Sequence, residues 1–147
     1  MVINEEELKA FIREEIADHL GLNEMARVGV INTPTKYDVQ VWTDDAGYIP
    51  HVHIMDWGTR GKKFDCCVKL ETNEFFPHGK HKSLMNKDMM KAFDTFMRQP
   101  SRNIHYRNNY EAAVNLWNDN NSNSYVQLKE DENGNIIIPD YSNILTP

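Results

Sequence analysis

The stretch GYIPHVHIMDWG, residues 47–58, sets His51 and His53 one residue apart inside a strand-like run, and FFPHGKH, residues 75–81, supplies His78 and His81 soon after. Alternate residues of a strand face the same way, so a His-x-His pair carries both imidazoles on one face, roughly 6.5–7 Å apart by strand rise. Two imidazoles at that spacing can reach one cation. A site then needs further donors. Cys67 or Asp65 on the next strand would supply a thiolate or a carboxylate if they share the face, and His-Gly-Lys-His has the look of a small chelating turn. The candidate metal-ligand set is His51, His53, Cys67, His78 and His81, with zinc as the candidate ion. The competing reading is that these are ordinary polar residues. So short a motif recurs by chance, and histidine is at ease on a half-buried sheet face. On frequency alone that reading is the commoner outcome, so no cofactor is expected by default.

Other chemistry is thinly represented. Cys67 beside His51 or His53 would make a thiolate–imidazole pair, although a small packed cysteine is the more frequent case. There is no Gly-rich phosphate loop, nucleophile elbow or zinc ribbon. The two-histidine phosphoesterases use two His-x-Thr or His-x-Ser repeats, which are absent. The histidine-triad hydrolases need His-x-His-x-His, and Met55 stands at the third position. No residue is assigned as catalytic. A binding surface is the remaining option. Arg60, Lys62 and Lys63 in one turn, with Lys80, His81 and Lys82 in another, could clamp phosphates, and Trp42 and Trp57 could stack on bases. The candidate binding residues are His51, His53, Trp57, Arg60, Lys62 and Lys63. The formal net charge of −6 opposes nucleic-acid affinity. Nucleic acid is therefore a less favoured partner than protein, even though residues 60–91 form a basic island between acidic ends.

These residues need elements to position them. Asn4 and Glu7 have capping-box spacing, and Leu8, Phe11, Ile12, Ile16 and Leu20 follow with helical period. After ARVGVIN and a turn at TPTK the period changes to two. Tyr37, Val39 and Val41 alternate with Asp38, Gln40 and Trp42 in one strand. Val52 and Ile54 alternate with His51, His53, Met55 and Trp57 in the next. Phe64, Cys66, Val68 and Leu70 alternate with Asp65, Cys67 and Lys69 in a third. Two helices follow. Asn86 caps the first, with Met90, Phe93 and Met97 as its stripe and Pro100 as its stop. Asn108 begins the second, with Glu111 at N3 and Tyr110, Ala113, Val114 and Trp117 as its stripe. Residues 119–147 read either as a hairpin turning at Asn133-Gly134 or as a tail packed on the body.

The expected fold is therefore a single α+β domain over residues 1–147. An antiparallel meander of three to four strands packs with an N-terminal helix and two C-terminal helices. The apolar face is Val39, Val41, Val52, Ile54, Phe64, Cys66, Val68 and Leu70. The opposite face carries His51, His53, Trp57 and Cys67. The hydrophobic fraction of 40% and charged fraction of 26% are those of a globular chain. No apolar run is long enough for a membrane span, and the acidic N-terminus lacks the features of a signal peptide. Two adjacent cysteines suit a reducing compartment. The expected location is the cytoplasm, away from membranes.

The order of PHVHI, KFDCCVKLETNEFF, LMNKDMMKAFDTFM and YEAAVNLWN resembles a small bacterial and phage domain family of unknown function. Its members often read Pro-Pro-His-x-His, then a strand and a Thr-Gly-Glu turn, and are frequently found near toxin–antitoxin genes. The resemblance covers roughly residues 37–118, leaving 1–36 and 119–147 as extensions. Ile49 replaces the first proline and Asn73 the glycine of the turn. The resemblance implies a non-enzymatic interaction protein of phage or mobile-element origin, acting on a toxin–antitoxin or host-defence system. The alternative is a small histidine-based metal-dependent hydrolase or nuclease.

Overall fold

The computed structural model describes residues 25–42, 49–56, 64–121 and 124–147. The expected N-terminal helix lies outside these residues, as do Trp57, Arg60, Lys62 and Lys63. Four strands, β1 (Met25–Asn32), β2 (Lys36–Trp42), β3 (His51–Asp56) and β4 (Asp65–Lys69), form one antiparallel sheet in the order β1-β2-β3-β4. Helices α1 (Lys87–Arg98) and α2 (Asn109–Asn120) follow. This is an α+β fold, and the short run before the TPTK turn is the fourth strand of the meander.

The period-two pattern sets the register. Val39 faces Ile54, and Ile54 faces Cys66. Together with Val41, Val52 and Val68 they are fully buried beside Phe93, Met97, Val114 and Trp117 of the two helices. Gly29 permits the close approach of β1 to α1, because a Cβ there would stand 3.0 Å from the Phe96 ring. The opposite face is buried too. Asp38, Gln40, His51, His53, Met55 and Cys67 are all nearly inaccessible. Polar groups held that far from water must find partners, so this face is where chemistry is concentrated.

Both helices begin as their caps predict. The Asn86 side chain accepts from Met89 N at 2.9 Å, and that of Asn108 from Glu111 N at 2.9 Å. Glu111 reaches back to accept from Arg107 N at 2.8 Å, while its second oxygen takes the Arg107 guanidinium at 2.9 Å. Arg107 also donates to Gly134 O and Glu130, which fastens the last segment to the start of α2. Burial alone would raise the Glu111 carboxyl, but the hydrogen bonds and charge of Arg107 outweigh it and hold the group below its usual range. Such a carboxylate stabilises the fold above its unfolded value and loses that contribution as pH falls through the folded one. The stability deficit of Glu111→Gln should thus be full near neutrality and shrink below about pH 4.3. Urea melts of both chains across this range would measure it, and a deficit constant with pH would refute it.

The C-terminal segment combines the two expected forms. A tight turn at Asn133-Gly134, with Gly134 at φ 79°, pairs Glu130 with Ile136. An extended tail then runs back to β4. Tyr141 is fully buried, and its hydroxyl donates to the Leu70 carbonyl at 2.9 Å. Leu145 exchanges backbone hydrogen bonds with Asn73 and Phe75.

Candidate metal centre

His53 and Cys67 are direct cross-strand partners, and Asp65 lies two residues before Cys67 on the same face. The path of the chain after β4 completes the cluster. Residues 74–76 turn back along β4, with Lys69 N donating to Glu74 O at 3.0 Å and Phe76 N to Cys67 O at 2.9 Å. The chain then makes a tight hairpin in which His78 and His81 exchange backbone hydrogen bonds at 3.2 and 2.8 Å. Gly79, at φ 53°, occupies the first central position, where such turns need a positive φ. Ser83 ties the segment back to β4, its N donating to Asp65 O at 3.1 Å. The HGKH turn is thereby carried over the histidine face.

All four histidines converge. Ring centroids of His53 lie 5.1 Å from His51, 6.2 Å from His78 and 4.7 Å from His81, and those of His51 and His78 are 5.2 Å apart. His53 Nδ1 stands 3.3 Å from Asp65 Oδ1 and 3.2 Å from Cys67 Sγ. His81 Nδ1 meets the other Asp65 oxygen. One donor atom from each of His53, Asp65, Cys67 and His81 lies within 4.8 Å of the others, and so does one from each of His51, Cys67 and His78. The buried His/Cys/Asp cluster can therefore hold a metal ion. Every residue of the candidate ligand set is in it. Asp65, weighed from the sequence as an alternative to Cys67, joins it alongside.

The imidazoles are oriented by named contacts. His51 Nδ1 lies 2.7 Å from Ile49 O, and His78 Nδ1 lies 2.8 Å from Phe76 O. Each Nδ1 thus donates to a carbonyl, so Nε2 is the nitrogen each ring would offer to a metal ion. His53 is stacked on Trp42 at 4.3 Å, with the planes 14° apart. Trp42 in turn donates to Gln40 Oε1 at 2.9 Å, Gln40 to Asp38 Oδ2 at 2.8 Å, and Arg27 to Asp38 Oδ1 at 2.8 Å. The chain from Arg27 to Trp42 was not anticipated from the sequence. Its only signal there was polar residues at three alternate positions of β2. Burial would raise the Asp65 carboxyl, but hydrogen bonds and charge from His53 and His81 bring it below its ordinary value. Cys66 shares none of this. It faces the helices, and burial, aided by the Asp65 charge, pushes its thiol up to about 12.

Lys80 and Lys82 are exposed, while His81 between them turns inward, so this turn divides its side chains between solvent and the cluster. His105 is exposed. No family model matches the chain, and neither a curated protein nor a solved structure matches it. None of the described helices is long and apolar enough to cross a membrane.

The HGKH turn offers a local test. Gly79→Ala meets no atom within 4 Å, so its only penalty is a positive φ, about 1–2 kcal/mol for a residue with a Cβ. Gly134→Ala carries the same kind of penalty at φ 79° in open space. Both should lower the melting temperature modestly. Only Gly79→Ala should weaken metal uptake, by about 5–30-fold. Equal effects on uptake would show that the turn does not position the donors.

Proposed function

We propose that this chain binds zinc through His53, Asp65, Cys67 and His81 in a closed, structural site. The observation that carries the reading is the approach of a carboxylate oxygen and a thiol sulfur to the same nitrogen, His53 Nδ1, at 3.3 and 3.2 Å. Zn–N bonds near 2.0–2.1 Å and Zn–S bonds near 2.3 Å put neighbouring donors of a tetrahedral site roughly 3.3–3.6 Å apart, so the N···O distance matches and the sulfur need move outward by only a few tenths of an ångström. A carboxylate bridging two imidazoles accounts for Asp65, His53 and His81 alone. It does not call for the thiol. Imidazole, thiolate and carboxylate together suit zinc better than the hard cations, which prefer oxygen, or copper(I), which prefers sulfur. One thiolate and one carboxylate also balance the dication where net charge would be costly.

Four protein donors fill a tetrahedron, so this set supports a bracing role more than hydrolysis, which needs an open position. The ion would join β3, β4 and the turn after β4. That suits the interaction protein implied by the resemblance, whose setting would be a toxin–antitoxin or host-defence system. Cobalt(II) titration of the metal-stripped chain tests the site. A thiolate-to-cobalt charge-transfer band should appear and should be lost in Cys67→Ala. Uptake should weaken on acidification, because ligands shed protons as they bind. A stripped, folded chain that takes up neither Zn²⁺ nor Co²⁺ would refute the proposal.

A further inference from the structure

Two donor groups meet at one sulfur. Cys67 belongs to the set with His53, Asp65 and His81 and equally to the set with His51 and His78. The two sets are built differently. The first presents Nδ1 of His53 and of His81 toward a carboxylate. In the second, both imidazoles are held by Nδ1 against a backbone carbonyl two residues upstream, Ile49 O and Phe76 O, which leaves Nε2 as the ligating nitrogen. An Nδ1–H donated to a backbone carbonyl is the support found behind metal-bound histidines, and here it occurs twice, on two different segments. One ion on the first set takes no donor from His51 or His78, and one ion on the second takes none from Asp65 or His81.

We propose that the chain holds two zinc ions bridged by the Cys67 thiolate, the second bound by His51 Nε2 and His78 Nε2. The proposal rests on the zinc reading of the first set and extends it. Two ions each about 2.3 Å from one sulfur can stand roughly 3.5–4 Å apart, the spacing of two-metal sites. The first ion has four protein donors and is closed. The second has three, so its fourth position falls to a solvent oxygen or an oxygen or nitrogen donor from a ligand. An anionic donor is favoured, because two dications face only one thiolate and one carboxylate. The exchangeable position of the cluster therefore belongs to the second ion.

Metal analysis and cobalt(II) titration of the full chain test this together. The stripped wild type should take up two equivalents of Zn²⁺ or Co²⁺. His78→Ala removes a half-buried donor from a turn and should leave one equivalent with the charge-transfer band intact. His51→Gln, checked for folding by circular dichroism, should do the same. In the wild type the paramagnetic resonance signal of the first cobalt should fall as the second enters, because a shared thiolate couples the two spins. A single equivalent in the wild type, unchanged by His78→Ala, overturns the bridged pair and leaves the one-zinc reading standing. Two equivalents with additive, uncoupled cobalt signals overturn the bridge. No uptake at all ends both readings.

Discussion

The Cys67→Ala chain is expected to carry no zinc and to melt at one temperature whether or not zinc is present. The wild type should melt lower after chelation and recover on reloading. A ligand that binds only the folded state stabilises it by about 2.7 kcal/mol at a hundred times its dissociation constant. For a chain of this length that is a shift of roughly 8–11 °C. The sulfur belongs to both donor sets, so its loss removes the thiolate and half of the negative charge facing the ion. Cys66→Ala is the matched control. It deletes the same atom one residue away, from the face packed on the helices, where the thiol stays protonated. That chain should lose some stability through packing and keep its full response to zinc. A zinc response preserved in Cys67→Ala, or lost in Cys66→Ala, would refute this assignment of the two faces.

Adjacent cysteines with opposite fates were legible in the sequence, because a strand sends consecutive side chains to opposite faces. The same rule placed His51, His53 and Cys67 together. The helices were legible as well, since Asn86 and Asn108 stand where unsatisfied backbone donors need a side-chain acceptor. Such signals are local and concern residues a few positions apart. The path of residues 74–83 is of another kind. Its return along β4 depends on backbone pairing with strand residues up to 18 positions away, and nothing in FFPHGKH announces which edge it will follow. The C-terminal tail is similar. Its anchor is a tyrosine hydroxyl bonded to a carbonyl 71 residues back.

The buried polar face was legible only in part. Asp38 and Gln40 alternate with valines, and in an antiparallel sheet that pattern ordinarily marks a solvated face. Here both are buried and satisfied in sequence from Arg27 to Trp42. Trp42 ends that chain with its ring flat against His53. A ring stacked flat on Trp42 has little freedom to swing, so its Nδ1 stays aimed at Asp65 and Cys67. Alternation identifies which residues share a face. What it leaves open is what lies over that face, because covering is a long-range event.

Trp117→Ala should be among the most damaging single changes to the fold, at about 3–5 kcal/mol. The side chain is fully buried near the end of α2, and its ring lies 5.4 Å from that of His51. Its indole N–H donates to the Ser124 carbonyl at 2.6 Å, two residues before Val126, both of whose backbone groups pair with Asn118 at 2.7 and 2.9 Å. Truncation therefore leaves a large cavity, removes a donor from a carbonyl and loosens the segment that leaves the helix. Trp117→Phe restores much of the ring without the donor and should cost less, since the missing hydrogen bond is worth about 1 kcal/mol net. Tyr125, in the same segment but 72% exposed, should tolerate alanine to within about 0.5 kcal/mol. Denaturant melts with an unchanged slope would report these as differences in stability alone. The expected order is Trp117→Ala well below Trp117→Phe, with Tyr125→Ala near the wild type. A Trp117→Ala chain as stable as Tyr125→Ala would mean that the helix end is not held by this ring.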